Sequence, residues 1–347
     1  MNILGIETSC DETAAAIVAD GRTVVSNVVY TQIPLHRRYG GVVPEIASRA
    51  HVEKIPQVVK DALTRPVDAI AVTYGPGLSP ALIVGLNAAK GLAKALGVPL
   101  FGINHIEAHL HTPFLRDAGD EGEAVPVEES MPALGLAVSG GHTNWIDMPE
   151  YGVYETVGQT LDDAAGEAFD KAAKLLGLGY PGGPVVDKIA REYGHGDLMP
   201  FPRGRPREGV SALAGLDAEL CVSFSGLKTS LLRYVQKRGG AAALAASGDL
   251  PRVVASYQEA IVQSVADRTE RALKRRNYRA LIVGGGVSLN SRMREVLSEI
   301  CARAGVKILL AKPKYCGDNG AMIAALAYYR RNVDAADIDV SPSLEVG

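Results

Sequence analysis

The chain has 347 residues, a length that suggests two or three domains and is ample for a buried core. Hydrophobic residues make up 47% and charged residues 22%, which excludes a wholly disordered chain. With 36 Lys and Arg against 39 Asp and Glu the formal charge is −3, so whole-chain electrostatics do not mark a nucleic-acid binder.

In chain order, Asn2–Glu7 reads as an apolar strand, followed by a polar turn, Thr8–Glu12, and an apolar run, Thr13–Val18. The first run meets Glu7 too early for a signal peptide. No run reaches the roughly 18 apolar residues that span a bilayer, so a soluble cytoplasmic protein with no membrane partner is expected. Val67–Val72 reads as a strand, then come the turn Gly75-Pro76-Gly77 and an amphipathic helix from Pro80 to Leu96. Pro99–Ile103 is a strand leading to a helix at His105. Glu121–Glu129, acidic and proline-containing, reads as the crossing between lobes. Next come the strand Ala133–Val138, the turn Ser139–His142 and the continuation Thr143–Met148. Helical patterns follow at Leu161–Leu176, Pro184–Tyr193, Leu227–Lys237 and Leu250–Arg275. The chain then reads as strand Arg279–Val283, turn Gly284-Gly285-Gly286, helix Ser291–Ala304, strand Lys307–Leu310, helix Asn319–Arg331 and a polar tail, Asp334–Gly347.

The second half of this order repeats the first. Gly5 to Gly135 is 130 positions, Asp68 to Arg279 is 211, and Pro99 to Lys307 is 208. The second copy therefore carries about 80 extra residues, within roughly Thr160–Asn277. Strand meanders followed by alternating strands and helices predict two α/β lobes, each a mixed sheet with helices packed on it. The expected division is 1–125 plus about 312–347 for an N-terminal lobe and 130–311 for a C-terminal lobe, with a helical insertion within about 160–277. Facing lobes would bring their strand-end turns into one cleft.

The 38 glycines, about one residue in nine against a usual 7%, concentrate in such turns. Peptide N–H groups there stay free and let a phosphate come close. There is no GxxxxGK[ST] and no G-x-G-x-x-G opening a helix, which rules out a P-loop and argues against a dinucleotide site. Asn290 reads either as a helix N-cap or as an amide meeting a ribose or base, and Asp318 raises the same choice before the last helix. Gly182-Gly183-Pro184 suggests a turn with proline at the first helical position, with Asp187 one turn further on. Asp163, Glu167 and Asp170 share a helix face, either as a solvated stripe or with Asp170 turned to a ligand. The four scattered cysteines, Cys10, Cys221, Cys301 and Cys316, read as buried thiols.

His105 and His109 are one turn apart, about 40° around a helix, so both imidazoles can reach one metal. A metalloprotease places its glutamate directly after the first histidine. Here it is Glu107, about 200° away from His105, and His111 also points elsewhere. A carboxylate at the repeat-equivalent position, Asp318, is well placed as third ligand. Two histidines and a carboxylate suit Fe(II) or Zn²⁺ with open positions.

Together these segments closely resemble the bacterial TsaD family, the tRNA N6-adenosine threonylcarbamoyltransferases once described as glycoproteases. The matching stretches are Gly5–Thr13, Tyr39–Glu45, His105–His109, Val138–Thr143, Asp163–Lys171, Tyr180–Pro184, Phe224–Lys228, Gly284–Asn290 and Cys316–Ala321. The resemblance implies the actin-like, sugar-kinase and Hsp70 superfold of duplicated RNase H-like lobes. It implies transfer of threonylcarbamoyl from threonylcarbamoyl-adenylate to N6 of the adenosine 3′ of the anticodon, in tRNAs reading codons that begin with A. By the matching motifs, one divalent metal per subunit, Fe(II) in preference to Zn²⁺, falls on His105, His109 and Asp318. Substrate contacts fall on Val138, Ser139, Gly140, Gly141, His142, Asp170, Gly183, Asp187 and Asn290. The implied partners are tRNA, a TsaB-like paralogue on the first lobe and a TsaE-like ATPase. The chain departs from the D-x-G-T phosphate motif of the superfold's ATPases with Glu7-Thr8-Ser9-Cys10, and has Asn104 where other members often carry histidine.

The poor nucleophilicity of an adenine amine puts the burden on positioning and charge stabilisation. The Ser139–Gly141 N–H groups are candidates for holding carboxylate or phosphate oxygens. Asp11 or Glu12 are candidates for taking the amine proton, with a turn-forming role the alternative for Asp11. For tRNA, the basic runs are His36-Arg37-Arg38, Arg203–Arg207 and Arg271–Arg276, each alternatively a solvated face. A small-molecule kinase, a zinc protease and a non-catalytic scaffold are the competing functions.

Overall fold

A computed structural model describes residues 1–120, 125–205, 216–330 and 337–347. Parts of the acidic crossing, of the Arg203–Arg207 run and of the C-terminal tail, and the last residue of the helix predicted to reach Arg331, lie outside them.

The chain opens with strands β1 (Asn2–Glu7), β2 (Glu12–Ala19) and β3 (Thr23–Thr31), then helices α1 (Ile33–His36) and α2 (Pro44–Ala62). Next come β4 (Ala69–Gly75), α3 (Ser79–Leu96), β5 (Leu100–Asn104), α4 (His105–His111) and the short β6 (Arg116–Asp117). A second series starts with β7 (Ala133–Val138), β8 (Thr143–Met148) and β9 (Glu155–Gln159). Five helices follow: α5 (Ala165–Leu176), α6 (Gly182–Tyr193), α7 (Ser225–Lys237), α8 (Ala241–Ala246) and α9 (Leu250–Ala272). The order closes with β10 (Ala280–Gly284), α10 (Ser291–Ala304), β11 (Lys307–Leu310), α11 (Pro313–Cys316) and α12 (Gly320–Tyr329).

Two compact units result. The first comprises Met1–Ser130, Glu150–Val153 and Leu310–Gly347, the second Met131–Pro149 and Tyr154–Leu309. The sheet of the first runs β5-β4-β1-β2-β3-β6, and that of the second β11-β10-β7-β8-β9. In each, the opening strand pairs antiparallel with the next and parallel with the strand of the later βα unit. Gly5 thus lies opposite Ala16 and Ala71, and Gly135 opposite Ile146 and Ile282. The sequence repeat is therefore a repeat of strand order.

In the first unit β1 is buried on both faces, which is why it reads as a continuous apolar run. Alternate residues divide between two cores. Ile3 joins Ala16, Ala71 and the wholly apolar α12, while Leu4 and Ile6 join Ile17, Val72 and residues of α2 and α3. Because β5, β4 and β1 are parallel, their C-terminal ends share one edge. Glu7, Thr73 and Asn104 meet there. In the second unit β10 and β7 are parallel, so the turns Ser139–His142 and Gly284–Gly286 share an edge too. The inserted helices are tied to that sheet by Trp145, fully buried, whose indole N–H donates to Thr269 Oγ1 of α9 at 2.9 Å.

Two helix starts differ from expectation. Leu161–Ala164 precede α5 rather than beginning it, because Leu161 N–H bonds the Val222 carbonyl and Asp162 accepts the N–H groups of Phe224 and Ser225. Asp163 thus lies off the helix, and the three-carboxylate stripe does not form; Lys171 joins Asp163 and Glu167 instead. α6 starts at Gly182, not Pro184, because Asp170 accepts the Gly182 N–H at 2.7 Å and fixes the turn two residues earlier. No helix among the described residues is long and apolar enough to cross a membrane.

Candidate active site

Asn104 ends β5 and starts α4. Its side-chain oxygen accepts the N–H groups of Ile106 and Glu107, at 2.9 and 3.3 Å, an N-cap that asparagine makes well. His105 is therefore the first helical residue and His109 sits one turn later. Asp318 comes from the loop before α12. The cap of α12 is its neighbour Asn319, whose oxygen accepts the Met322 N–H, so Asp318 is not spent on the helix. Its Oδ1 stands 3.1 Å from His109 Nε2 and 3.7 Å from His105 Nε2.

These three side chains offer donor atoms all within 4.8 Å of one another. His109 is 1% exposed, and neither ring nitrogen makes a hydrogen bond; the approach of Asp318 is an ion-pair contact, not an aligned one. A buried imidazole with two orphaned nitrogens is costly unless something else satisfies it. Two imidazoles and a carboxylate with room for further ligands fit a single metal ion. His105 differs from His109, because its Nδ1 lies 3.0 Å from Glu7 Oε2 and 3.1 Å from Ser9 Oγ. Burial opposes its charge, but the Glu7 and Asp318 carboxylates outweigh that and hold its pKa up at about 9. Burial likewise works to raise the Glu7 pKa, yet the contact with His105 leaves it below its usual value.

Glu107 turns away, as its helical offset predicts. Its carboxylate binds Arg330 at 2.6 Å, which removes it from the role a protease glutamate plays. His111 is buried against the rings of Phe114, Tyr151 and Tyr329, and burial, aided by Arg22, depresses its pKa to about 3.

The turn carrying Asp11 and Glu12 lies in the same unit. His51 Nε2 lies 2.9 Å from the Cys10 carbonyl, and the Gln32 N–H donates to the Asp11 carbonyl at 3.0 Å. Burial, then the charges of Asp11 and Asp318, push the Glu12 carboxyl well above its ordinary range. Cys221, Cys301 and Cys316 are buried as expected, but Cys10 is only half-buried, because it sits in this polar turn rather than in a core.

The second unit holds a pocket of about 360 Å³, within the usual size of small-ligand sites. Of the predicted contacts it brings together Gly140, Asp170, Gly183, Asp187 and Asn290. Val138, Ser139, Gly141 and His142 do not line it. The reason is local. Ser139 N–H is already given to the His142 carbonyl at 2.9 Å, and the Val138 carbonyl is covered by Gly285, where a Cβ would stand 2.3 Å away. Gly285 also has φ +96°, so no other residue suits that turn. Asn290 is a helix N-cap, and it also lines the pocket. Its oxygen caps α10 by accepting the Met293 N–H, while its amide donates to Gln258 and its side chain faces the pocket. Asp187 accepts both the N–H and the hydroxyl of Ser291, at 3.1 and 2.8 Å.

A family model described as TsaD, tRNA N6-adenosine threonylcarbamoyltransferase, matches residues 23–325. The chain belongs to the TsaD family. Relatives bearing that enzyme name include one from Anaeromyxobacter sp., 47% identical with 99% of each chain covered, and one from Clostridium kluyveri, 44% identical with 100% and 98% covered. As a TsaD-family member the chain has an actin-like, sugar-kinase type α/β fold. Solved structures alike in fold are component A of the Acidaminococcus fermentans (R)-2-hydroxyglutaryl-CoA dehydratase and HypF from T. kodakarensis. The first has TM-score 0.51 at 14% identity, covering 95% of this chain and 98% of that one. The second has TM-score 0.56 at 14% identity, covering 95% and 47%.

Three residues of the site fall within the matching stretches without a role predicted for them. Glu7 reads as the end of a strand. Gly166 lets α5 abut the Ser139–Gly140 turn, since a Cβ there would lie 2.7 Å from Gly140 Cα. Phe169 supplies an apolar wall to the pocket. A glycine inside a predicted helix is the one cue that points to such an approach. Among the basic runs, His36 is fully buried and bonded to Gln32 rather than exposed, because α1 turns it inward. Arg203, Arg271, Arg275 and Arg276 are ion-paired with Asp267, Glu219, Asp217 and Asp147.

Proposed function

We propose that the chain transfers threonylcarbamoyl from threonylcarbamoyl-adenylate to N6 of the adenosine 3′ of the anticodon, in tRNAs reading codons that begin with A. The N6–carbamoyl bond forms, the carbamoyl–phosphate oxygen bond breaks, AMP departs with that oxygen, and one amine proton passes to a base. The observation that carries this reading is the buried histidine pair with Asp318 beside it and the orphaned His109 imidazole, in a chain of this family. Lobes of 1–125 plus about 312–347 and of 130–311 divide the work.

His105, His109 and Asp318 would hold the divalent metal, Fe(II) in preference to Zn²⁺, whose chemistry is Lewis-acid stabilisation of charge on substrate oxygens. Gly140, Asp170, Gly183, Asp187 and Asn290 bind the adenylate, with Val138, Ser139, Gly141 and His142 completing the turn beside it. The open faces of Gly140 and Gly141, with nothing within 4 Å of where a Cβ would stand, leave backbone accessible to oxygens of the substrate. Proton removal falls to the Asp11–Glu12 pair. Burial and its acidic neighbours push the Glu12 carboxyl well above its ordinary range, and a raised carboxyl suits a general base. The −3 net charge and the ion-paired arginines support shared tRNA binding, with a TsaB-like paralogue and a TsaE-like ATPase, in the cytoplasm.

Mass spectrometry of tRNA nucleosides tests this directly. Incubation of chain, partners, threonylcarbamoyl-adenylate and tRNA should yield threonylcarbamoyladenosine and AMP in equal amounts. ATP-dependent phosphorylation of a small acceptor, with no modified nucleoside, would replace this reading with the kinase one.

A further inference from the structure

Glu7 ends an apolar strand, is fully buried, and has no task in the chemistry above. A buried carboxylate is expensive unless every lone pair is used. Here one oxygen accepts the Ser9 N–H. The other accepts the Thr73 hydroxyl at 2.6 Å and lies 3.0 Å from His105 Nδ1. The Ser9 hydroxyl closes the group at 3.1 Å from the same nitrogen. All of these contacts converge on one ring nitrogen, the one turned away from His109 and Asp318. His109 has no equivalent, since its Nδ1 is unbonded.

We infer that Glu7 is a positioning residue for the metal: held by Thr73 and Ser9, it engages His105 at Nδ1, fixes the ring and turns Nε2 toward His109 and Asp318. A carboxylate behind a ligating histidine fixes both tautomer and ring orientation, and its loss typically costs 10–100-fold in metal affinity. The inference rests on the reading that His105, His109 and Asp318 are the ligands. It adds that the two imidazoles are unequal, one buttressed at Nδ1 and one not.

The test uses the full chain, with Zn²⁺ and Co²⁺ as probes competed against a chromophoric chelator. Glu7→Gln keeps the volume and removes the charge. It should bind both ions 10–100-fold more weakly, with an unchanged melting temperature in the metal-free form and altered Co²⁺ ligand-field bands. In ¹⁵N spectra of the Zn²⁺-loaded wild type, the His105 proton should sit on Nδ1 and be shifted downfield, and in Glu7→Gln that shift should disappear. Thr73→Val, which removes only the hydroxyl, should weaken binding by about twofold to tenfold, and it decides the matter if Glu7→Gln does not fold. Wild-type affinity in a folded Glu7→Gln, or in Thr73→Val where that must decide, overturns the inference. If His109→Ala loses the ion while those variants keep it, the ligand reading survives and only the role of Glu7 falls. If the wild type takes up neither ion, both fall.

Discussion

The donor set of the first unit and the pocket of the second treat their polar groups in opposite ways. In the first, the fold spends Asn104, Asn319 and Glu7 on caps and contacts, while both ring nitrogens of His109 stay without a hydrogen bond. In the second, the lining groups are themselves structural. Asp170 holds the start of α6, Asp187 holds Ser291, and Asn290 caps α10. Function and stability should therefore separate by mutation in one unit and travel together in the other.

The largest expected effect lies in the first unit. His109→Ala should lose bound metal by elemental analysis and cut tRNA modification more than about a hundredfold, beyond what loss of a supporting residue costs, while the metal-free melting temperature barely moves. Normal modification by metal-free His109→Ala protein would end the proposal. Asp187→Ala should break the comparison from the other side. Urea titrations should show a loss of roughly 1.5–3 kcal/mol, the worth of hydrogen bonds to a charged group, with AMP binding reduced in parallel; weakened binding at full stability would show that the pocket wall is not structural. Gly166→Ala should cost about 1–3 kcal/mol through overpacking against the Ser139–Gly140 turn. Calorimetry should find AMP affinity lowered with no change in metal uptake.

The smallest effect is a pH dependence. Burial depresses the pKa values of His36 and His51, both fully buried in the first unit. Their neutral forms are favoured on folding, so their contribution is complete above the unfolded value of about 6.5 and is lost as pH falls below it. Hydrogen-exchange protection factors should fall between pH 7 and 5 around His51 more than around α9 of the second unit. His51→Gln should narrow that difference, and an unchanged difference would remove the histidines as its cause.

Much of this arrangement is legible from sequence where the cause is local. β1, β7, α3 and α10 follow from apolar runs broken by glycine or asparagine, and the His105–His109 pair from helical spacing. β3 (Thr23–Thr31) escapes because its polar Ser26 and Asn27 interrupt a half-buried strand, and α2 because its stripe is weak and contains Pro56. The choice at Asp318 turns on which of two adjacent residues caps α12, which spacing cannot decide. Glu7 is beyond local reading altogether, since its partner His105 is 98 positions away and meets it only because β1 and β5 end on one edge.

The first unit is discontinuous, and that sets an order of assembly during synthesis. Residues 131–309, which contain all of the second unit, leave the ribosome before Asp318 and α12 do. β1 waits for α12 to cover one of its faces, and later still Ser341 N–H reaches the Tyr74 carbonyl and Asn104 reaches the Glu345 carbonyl. Domains made first usually fold first; here the half begun first is finished last. A nascent chain can hold a completed second unit while it still lacks Asp318, so the histidine–histidine–aspartate set is assembled only after that unit has been made.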